Sequence, residues 1–358
     1  MIYFKDSPLK PQEPAPKRIL LIKLSSLGDV LHALPTLAAL RTLWPLAQIH
    51  WAVEESLAPL LPGPPVLDEI VIFPRADLSL SRPLKAYRAL RDLGQRLKAN
   101  AYDLSIDLQA LAKSSLVAFL AKAKRRLAYW ETREGSFLVS TGVKGPMALG
   151  HVVERYLDVA RYLGPVPKEL SWPLPDFTAE RDKLKKTLND LGRSEPYVVF
   201  FPGASWATKQ WAPANYAALG EALARKGYSL ILGGASSERP IAEKIISLAP
   251  ALPVANLMGA TDLRGLLALA SLGQAVVGSD SGPLHAAVAV GRPTVTLYGP
   301  NSPARTGAYG PLARNLASPA PCAPCFKKVC PREFICLSQI PVDQVLAATL
   351  KALAMGGG

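Results

Sequence analysis

The feature that most constrains this chain is a short apolar run that gives way first to a polar, glycine-bearing loop and then to a helical pattern. RILLIKL (residues 18–24) is a β-type run, SSLGDV carries the turn and helix-start residues, and LHALPTLAALRTLWP continues with helical character. IHWAVEE, EIVIFP and YDLSIDLQ are further strands, separated by helical stretches such as PLKAYRALRDLGQRLKAN. Strands that alternate with helices imply a parallel sheet covered on both faces.

The alternation weakens over LGPVPKELSWPLPDF (residues 163–177), where Pro and Gly accumulate, and a domain linker is expected there. It resumes with YVVFFPGAS, a helix over 214–226, YSLILGGAS, a helix over 239–248, then AVVGSDSGPLHAAVAVG and PTVTLYGP. At 358 residues the chain is too long for one ordinary core. The expected division is a disordered leader (1–17), a first Rossmann-like domain (18–170), a second (171–345), and the end of a helix with a Gly tail (346–358).

A hydrophobic share of 49% with 19% charged residues suits a soluble globular enzyme, and the net charge of +13 asks for an anionic partner. The opening MIYFKDSPLKPQEPAPK lacks the apolar core of a signal peptide, so the protein is expected in the cytoplasm. The longest uncharged stretch, residues 265–279, is shorter than the about 20 residues of a membrane-spanning helix, so any membrane contact is expected to be peripheral. No recognition motif or aromatic-basic interleaving supports a nucleic-acid partner.

Three loops carry chemistry. In SSLGDVLH, Gly28 permits a tight turn and Asp29 falls in the first turn of a helix, at the strand end where open α/β sheets bind ligands; a simple capping role is the alternative. DSGPLH (280–285) has a small polar cap and Pro in the first helical turn, a ready anion site whose ordinary-cap reading leaves Asp280 and His285 unassigned. PGASWATKQW (202–211) offers hydroxyls and Lys209 to a diphosphate, without the spacing of a Walker loop; a solvated lysine is the bland alternative.

KLSSLGDVLHALP, WAVEE, YDLSIDLQALAKS, YWETREGSF, HVVERYLDVARYLG, PGASWATKQW and GSDSGPLHAAVAVGRPTVTLYGP, in that order, resemble family 9 glycosyltransferases, the lipopolysaccharide heptosyltransferases, and especially the heptosyltransferase I branch. The resemblance implies an α/β GT-B fold of two Rossmann-like domains facing across a cleft, acceptor on the first and donor on the second. It implies Asp29 as general base in inverting, metal-independent transfer of heptose from ADP-heptose to the Kdo/inner-core region of lipopolysaccharide, with Kdo-lipid A as acceptor, at the cytoplasmic face of the inner membrane. No cofactor is required for the chemistry.

The same resemblance places Ser205, Thr208, Lys209, Glu238, Thr261, Asp280, Ser281, Gly282 and His285 around the donor, with Glu238 on the ribose. Ala204 stands where a hydroxyl residue is implied, so one phosphate contact is expected either to be missing or to be replaced by Thr208. Among the basic residues of the first domain, Arg82, Lys85, Lys113 and Arg133 are the expected acceptor contacts, with Lys23 beside the Asp29 loop; several others are solvated helix faces. A family 9 enzyme adding a later heptose or another sugar, and a GT-B nucleotide-sugar epimerase, are the competing assignments.

All four cysteines lie in CAPCFKKVCPREFIC, at Cys322, Cys325, Cys330 and Cys336. The C-x2-C-x4-C-x5-C spacing in a cytoplasmic protein favours a structural zinc or iron-sulfur site over disulfides, with four reduced thiols as the alternative. The cluster departs from the heptosyltransferase I pattern.

Overall fold

The computed structural model describes residues 2–3, 14–78, 81–332 and 335–355. The chain divides into two compact units, Met1–Pro175 and Asp176–Gly358.

The first unit is built on β1 (Ile2–Tyr3), β2 (Arg18–Ile22), β3 (Gln48–Glu54), β4 (Glu69–Phe73), β5 (Leu104–Asp107), β6 (Arg125–Tyr129) and β7 (Thr141–Lys144). Its helices are α1 (Leu27–Leu43), α2 (Pro83–Ala99), α3 (Ala112–Ala121) and α4 (Val152–Leu163). The strands are all parallel, in the order β1-β7-β6-β5-β2-β3-β4. Because helices cover both faces, β2 is buried from its second residue onward, which is why RILLI is an unbroken apolar run after its arginine. Leu20, Ile22, Leu24, Val71 and Phe73 close one side of this core.

Leaving out β1, the order is that of a doubly wound nucleotide-binding sheet, whose direction of winding reverses between its first and fourth strands, here β2 and β5. The loops after those two strands therefore share one edge of the sheet. The leader departs from expectation at its start: Ile2 and Tyr3 pair with Val143 and Lys144 as an edge strand. Residues 4–13 of that leader and 356–358 of the Gly tail lie outside the described residues.

The second unit contains α5 (Thr178–Asp190), β8 (Tyr197–Phe201), α6 (Pro213–Ala224), β9 (Ser229–Leu232), α7 (Arg239–Leu248), β10 (Val254–Asn256), α8 (Leu263–Leu272) and β11 (Gly273–Ser279). After them come α9 (Gly282–Ala289), β12 (Thr294–Tyr298), α10 (Pro303–Thr306), β13 (Ala313–Ala317), α11 (Ile335–Ser338) and α12 (Val342–Met355). The parallel order β10-β9-β8-β11-β12-β13 repeats the doubly wound plan, with β8 and β11 at the point of reversal.

Trp211 is buried against Tyr216 and donates its indole N–H to the Ile340 carbonyl at 3.1 Å, tying the end of the 202–211 loop to the segment before α12. Helix α12 packs on α6 and on β11, β12 and β13. No helix among the described residues is long and apolar enough to cross a membrane.

Candidate active site

In the first unit the loop after β2 enters α1 through a capping box. The Asp29 Oδ2 accepts from the Ser26 backbone N–H at 3.2 Å and from the Ser26 hydroxyl at 2.8 Å. The capping role is thus real and engages Oδ2; Oδ1 faces the Lys23 ammonium at 3.8 Å, and the side chain keeps 38% of its surface exposed.

The neighbouring loop after β5 holds this one in place. Gln109 Oε1 accepts from the backbone N–H groups of Leu24 and Ser25 at 2.8 and 3.2 Å. Gln109 is itself set by Asp107, whose carboxylate accepts from the N–H groups of Gln109 and Ala110 and from the Ser114 hydroxyl. Asp107 is fully buried, and burial pushes its carboxyl up despite those three hydrogen bonds.

Lys113 donates to the Ser25 hydroxyl at 2.7 Å and to Glu54 Oε1 at 2.8 Å, and Arg75 reaches the same carboxylate oxygen at 2.9 Å. Burial works against the Glu54 charge, yet the hydrogen bonds from Lys113 and Arg75 and their charges outweigh it and hold the carboxyl below its ordinary range. Lys113 therefore stands beside the Asp29 loop. Arg133 is exposed and close to Tyr129 and Lys23.

Two expected acceptor residues sit otherwise. Lys85 is paired with Asp77 at 2.7 Å, and Arg82 is exposed at the N-cap of α2. Arg75 joins the Lys113 network instead. Lys23 is a correction: it is 4% exposed, with its ammonium turned inward to the Tyr156 hydroxyl and the Leu108 carbonyl. A buried ammonium with those partners has no open face for a substrate carboxylate.

In the second unit, the expected donor residues come from the carboxyl ends of β8, β9, β10 and β11. Lys209 pairs with Asp280 Oδ2 at 2.8 Å and lies 4.7 Å from the centre of the Trp206 ring. Asp280 is buried and also accepts from the Asn301 amide at 2.7 Å, while His285 Nε2 stands 3.9 Å from its Oδ1. Ser281 is the N-cap of α9, and its hydroxyl is buried with no hydrogen-bond partner among the described residues. An orphaned hydroxyl beside the free N–H groups of a helix start, with a lysine nearby, fits an oxyanion such as a phosphate.

Glu238 Oε2 accepts from the Ala235 N–H at 2.9 Å. Its carboxylate lies so close to Gly203 that a Cβ there would fall 2.0 Å from the carboxyl carbon, so the glycine of PGAS is the residue that lets this carboxylate reach the end of β8. Gly259, at φ +70°, brings the loop carrying Thr261 against Ser236. Ser205 is exposed on the 202–211 loop, and Gly282 opens α9.

Thr208 is the second correction. It is 2% exposed, and its hydroxyl donates to the carbonyls of Lys327 and Lys328 at 3.2 and 3.4 Å, so it does not replace the phosphate contact absent at Ala204. The same bonds show that the cysteine loop, distant in sequence, runs against the 202–211 loop, and Lys328 lies 5.5 Å from the Trp206 ring.

The four thiols are free, from exposed Cys322 to buried Cys336. Burial pushes the Cys336 thiol up, and the three other sulfurs act in the same direction. Among the described residues no group of three or more His, Cys, Asp or Glu side chains is placed to hold a metal ion.

Residues 90–335 match glycosyltransferase family 9 (heptosyltransferase). The chain is 35% identical over 323 residues, 87% of each length, to lipopolysaccharide heptosyltransferase 1 of Pseudomonas aeruginosa. Two Escherichia coli structures are similar at 26% identity: ADP-heptose LPS heptosyltransferase II, with a TM-score of 0.75 over 95% of this chain and 100% of that one, and heptosyltransferase WaaC with ADP-2-deoxy-2-fluoro heptose, with a TM-score of 0.70 over 93% and 99%. With two doubly wound α/β units of the GT-B type and a family match across most of its length, this chain belongs to glycosyltransferase family 9.

Proposed function

We propose that the chain is an inverting heptosyltransferase that moves heptose from ADP-heptose to the Kdo region of the lipopolysaccharide inner core, without a metal ion. The likeness to lipopolysaccharide heptosyltransferase 1 over 87% of both chains carries the choice of sugar and acceptor. The residues support the chemistry. A sugar hydroxyl is a poor nucleophile until a carboxylate accepts its proton, and Asp29 offers one exposed carboxylate at the end of the first strand.

As the bond to the anomeric carbon forms, the leaving ADP gathers negative charge. Lys209, the Ser281 hydroxyl and the N–H groups at the start of α9 are the donors suited to stabilise it, in place of a divalent cation. Ser205 and His285 flank the phosphates and sugar, Glu238 takes the ribose, and backbone groups near Thr261 take the base. Lys113, Arg133 and Arg75, with Arg82 and Lys85 at and near the start of α2, meet the carboxylates and phosphates of the acceptor at an anionic membrane surface of the cytoplasmic face.

Incubation of the protein with ADP-heptose and Kdo2-lipid A in the presence of EDTA tests this reading. ADP release coupled to glycolipid product is expected; no release with this pair removes the assignment, and loss of activity on adding EDTA removes metal independence. Asp29→Ala should lower kcat by about 10² to 10⁴-fold with ADP affinity nearly unchanged. Near-normal turnover of that variant would show that another group is the base. A structural metal at the four cysteines rests on their spacing alone: less than a tenth of an equivalent of zinc or iron in the purified protein dismisses it.

A further inference from the structure

Lys23 is among the most enclosed charged residues in the molecule, and the transfer reaction as described gives it no task. It follows directly on β2, its N–H bonded to the Ala52 carbonyl and its own carbonyl to the Trp51 indole N–H at 3.1 Å, so its backbone is fixed on two sides. The side chain runs inward. Its ammonium donates to the Tyr156 hydroxyl at 2.8 Å, reaches the Leu108 carbonyl at 3.4 Å, lies 5.0 Å from the centre of the Tyr156 ring, and faces Asp29 Oδ1 at 3.8 Å.

Burying an ammonium costs several kcal/mol unless charges and hydrogen bonds offset it. Burial does push the Lys23 amine down, while Asp29 and then Asp107 act against that, and Lys113 and Arg133 add to it. Asp107 is already held by three hydrogen bonds of its own. Asp29 is thus the carboxylate that Lys23 can serve: Ser26 fixes one of its oxygens and the ammonium faces the other. The carboxylate is gripped from the loop side and from the core side.

We propose that Lys23 is a positioning residue for the Asp29 carboxylate, an ammonium anchored on Tyr156 and the Leu108 carbonyl that holds the base oriented and charged without touching substrate. The proposal rests on Asp29 being the base. Two effects of the ammonium compete, since a neighbouring cation favours the carboxylate but weakens it as a proton acceptor. Orientation is read in kcat, and the electrostatic effect is read in the acid limb of the pH profile.

Lys23→Met keeps the length of the side chain and removes its charge and donors. With ADP-heptose and Kdo2-lipid A, kcat should fall about 10 to 100-fold, as expected when a reacting group shifts by about an ångström, while KM for the donor stays within about twofold. The acid limb of kcat/KM should move to higher pH by up to about one unit, because a carboxylate that loses a cation protonates more readily. The other titratable or charged groups around the pair are Asp107, Lys113, Tyr129, Glu131, Arg133 and Tyr156, and all remain in the variant.

Tyr156→Phe, which removes only the hydroxyl that accepts from Lys23, should shift both quantities in the same direction by less, and decides the matter if Lys23→Met does not fold. In an Asp29→Asn background Lys23→Met should cost nothing further. An unmoved acid limb in folded Lys23→Met or, failing that, in Tyr156→Phe, or a rise in acceptor KM at unchanged kcat, overturns the positioning role. An Asp29→Ala variant that still turns over normally overturns instead the reading on which it rests, so the two failures are distinct.

Discussion

Single side chains in each unit are committed to charge in ways that can be measured one at a time. Lys209 joins the 202–211 loop to buried Asp280, which directly precedes the orphaned Ser281 hydroxyl, so Lys209→Ala removes a cation from the region proposed for the phosphates and leaves Asp280 beside the Asn301 amide and His285. A hydrogen bond to a charged group contributes about 1.5–3 kcal/mol. The expected loss is roughly 10 to 100-fold in ADP-heptose affinity or kcat, read from initial rates and from ADP titration calorimetry; a change below twofold would count against a phosphate role. Glu54 is the second case. Its folded carboxyl lies below the usual range near 4.5, so its contribution is present above that value and is lost as pH falls through the lower folded value. Glu54→Gln should therefore lower the urea midpoint at pH 7, and the difference from the wild type should shrink as the pH falls below the ordinary carboxylate range.

What the sequence conceals at this scale is partnership. Lys23 and Tyr156 are 133 positions apart, Thr208 and Lys327 119 apart, and neither pair leaves a local pattern. A lysine beside a catalytic loop therefore looks like a substrate contact until its burial is known, and a loop threonine looks like a phosphate ligand until its hydroxyl is found on a backbone carbonyl. Glu54 and Gln109 leave no sequence signal for the same reason. The WAVEE and SIDLQ segments that contain Glu54 and Gln109 were visible as strands, but not as the supports of the loop after β2.

Among elements, legibility follows burial. The central strands β2, β8 and β11 are apolar runs because helices cover both faces, and α7 has the bounds that its periodicity predicts. The unread strands are short ones such as RRLAY, TGVK, VAN and ARNLA, which carry charges or single apolar residues. Gly203 shows what a junction between elements requires. Alanine there would put a methyl within 2.0–2.4 Å of the Glu238 carboxyl group, which is the far end of a flexible chain and can move away. Gly203→Ala should keep the melting temperature within a few degrees yet weaken ADP-heptose binding about 10-fold; unchanged affinity would separate Glu238 from the ribose.

The whole molecule carries a net charge of +13, and no described helix crosses a membrane. Attraction to an anionic surface is then electrostatic and falls with the Debye length. Vesicles rich in anionic phospholipid should sediment the protein at low ionic strength and release it near 0.5 M salt on this screening argument, roughly where the Debye length drops to a few ångströms. Retention on neutral vesicles at high salt would point to insertion of apolar residues instead.

The repeated strand order has a further consequence. Two sheets wound to one plan place the loops after their leading strands at equivalent stations, yet the first carries the Asp29 carboxylate there and the second Lys209. Such a chain is modular in the engineer's sense. On the proposed roles, a chimera that takes its second unit from a relative handling another nucleotide sugar should keep the Asp29 carboxylate, Lys23 and Lys113 in the first unit unchanged.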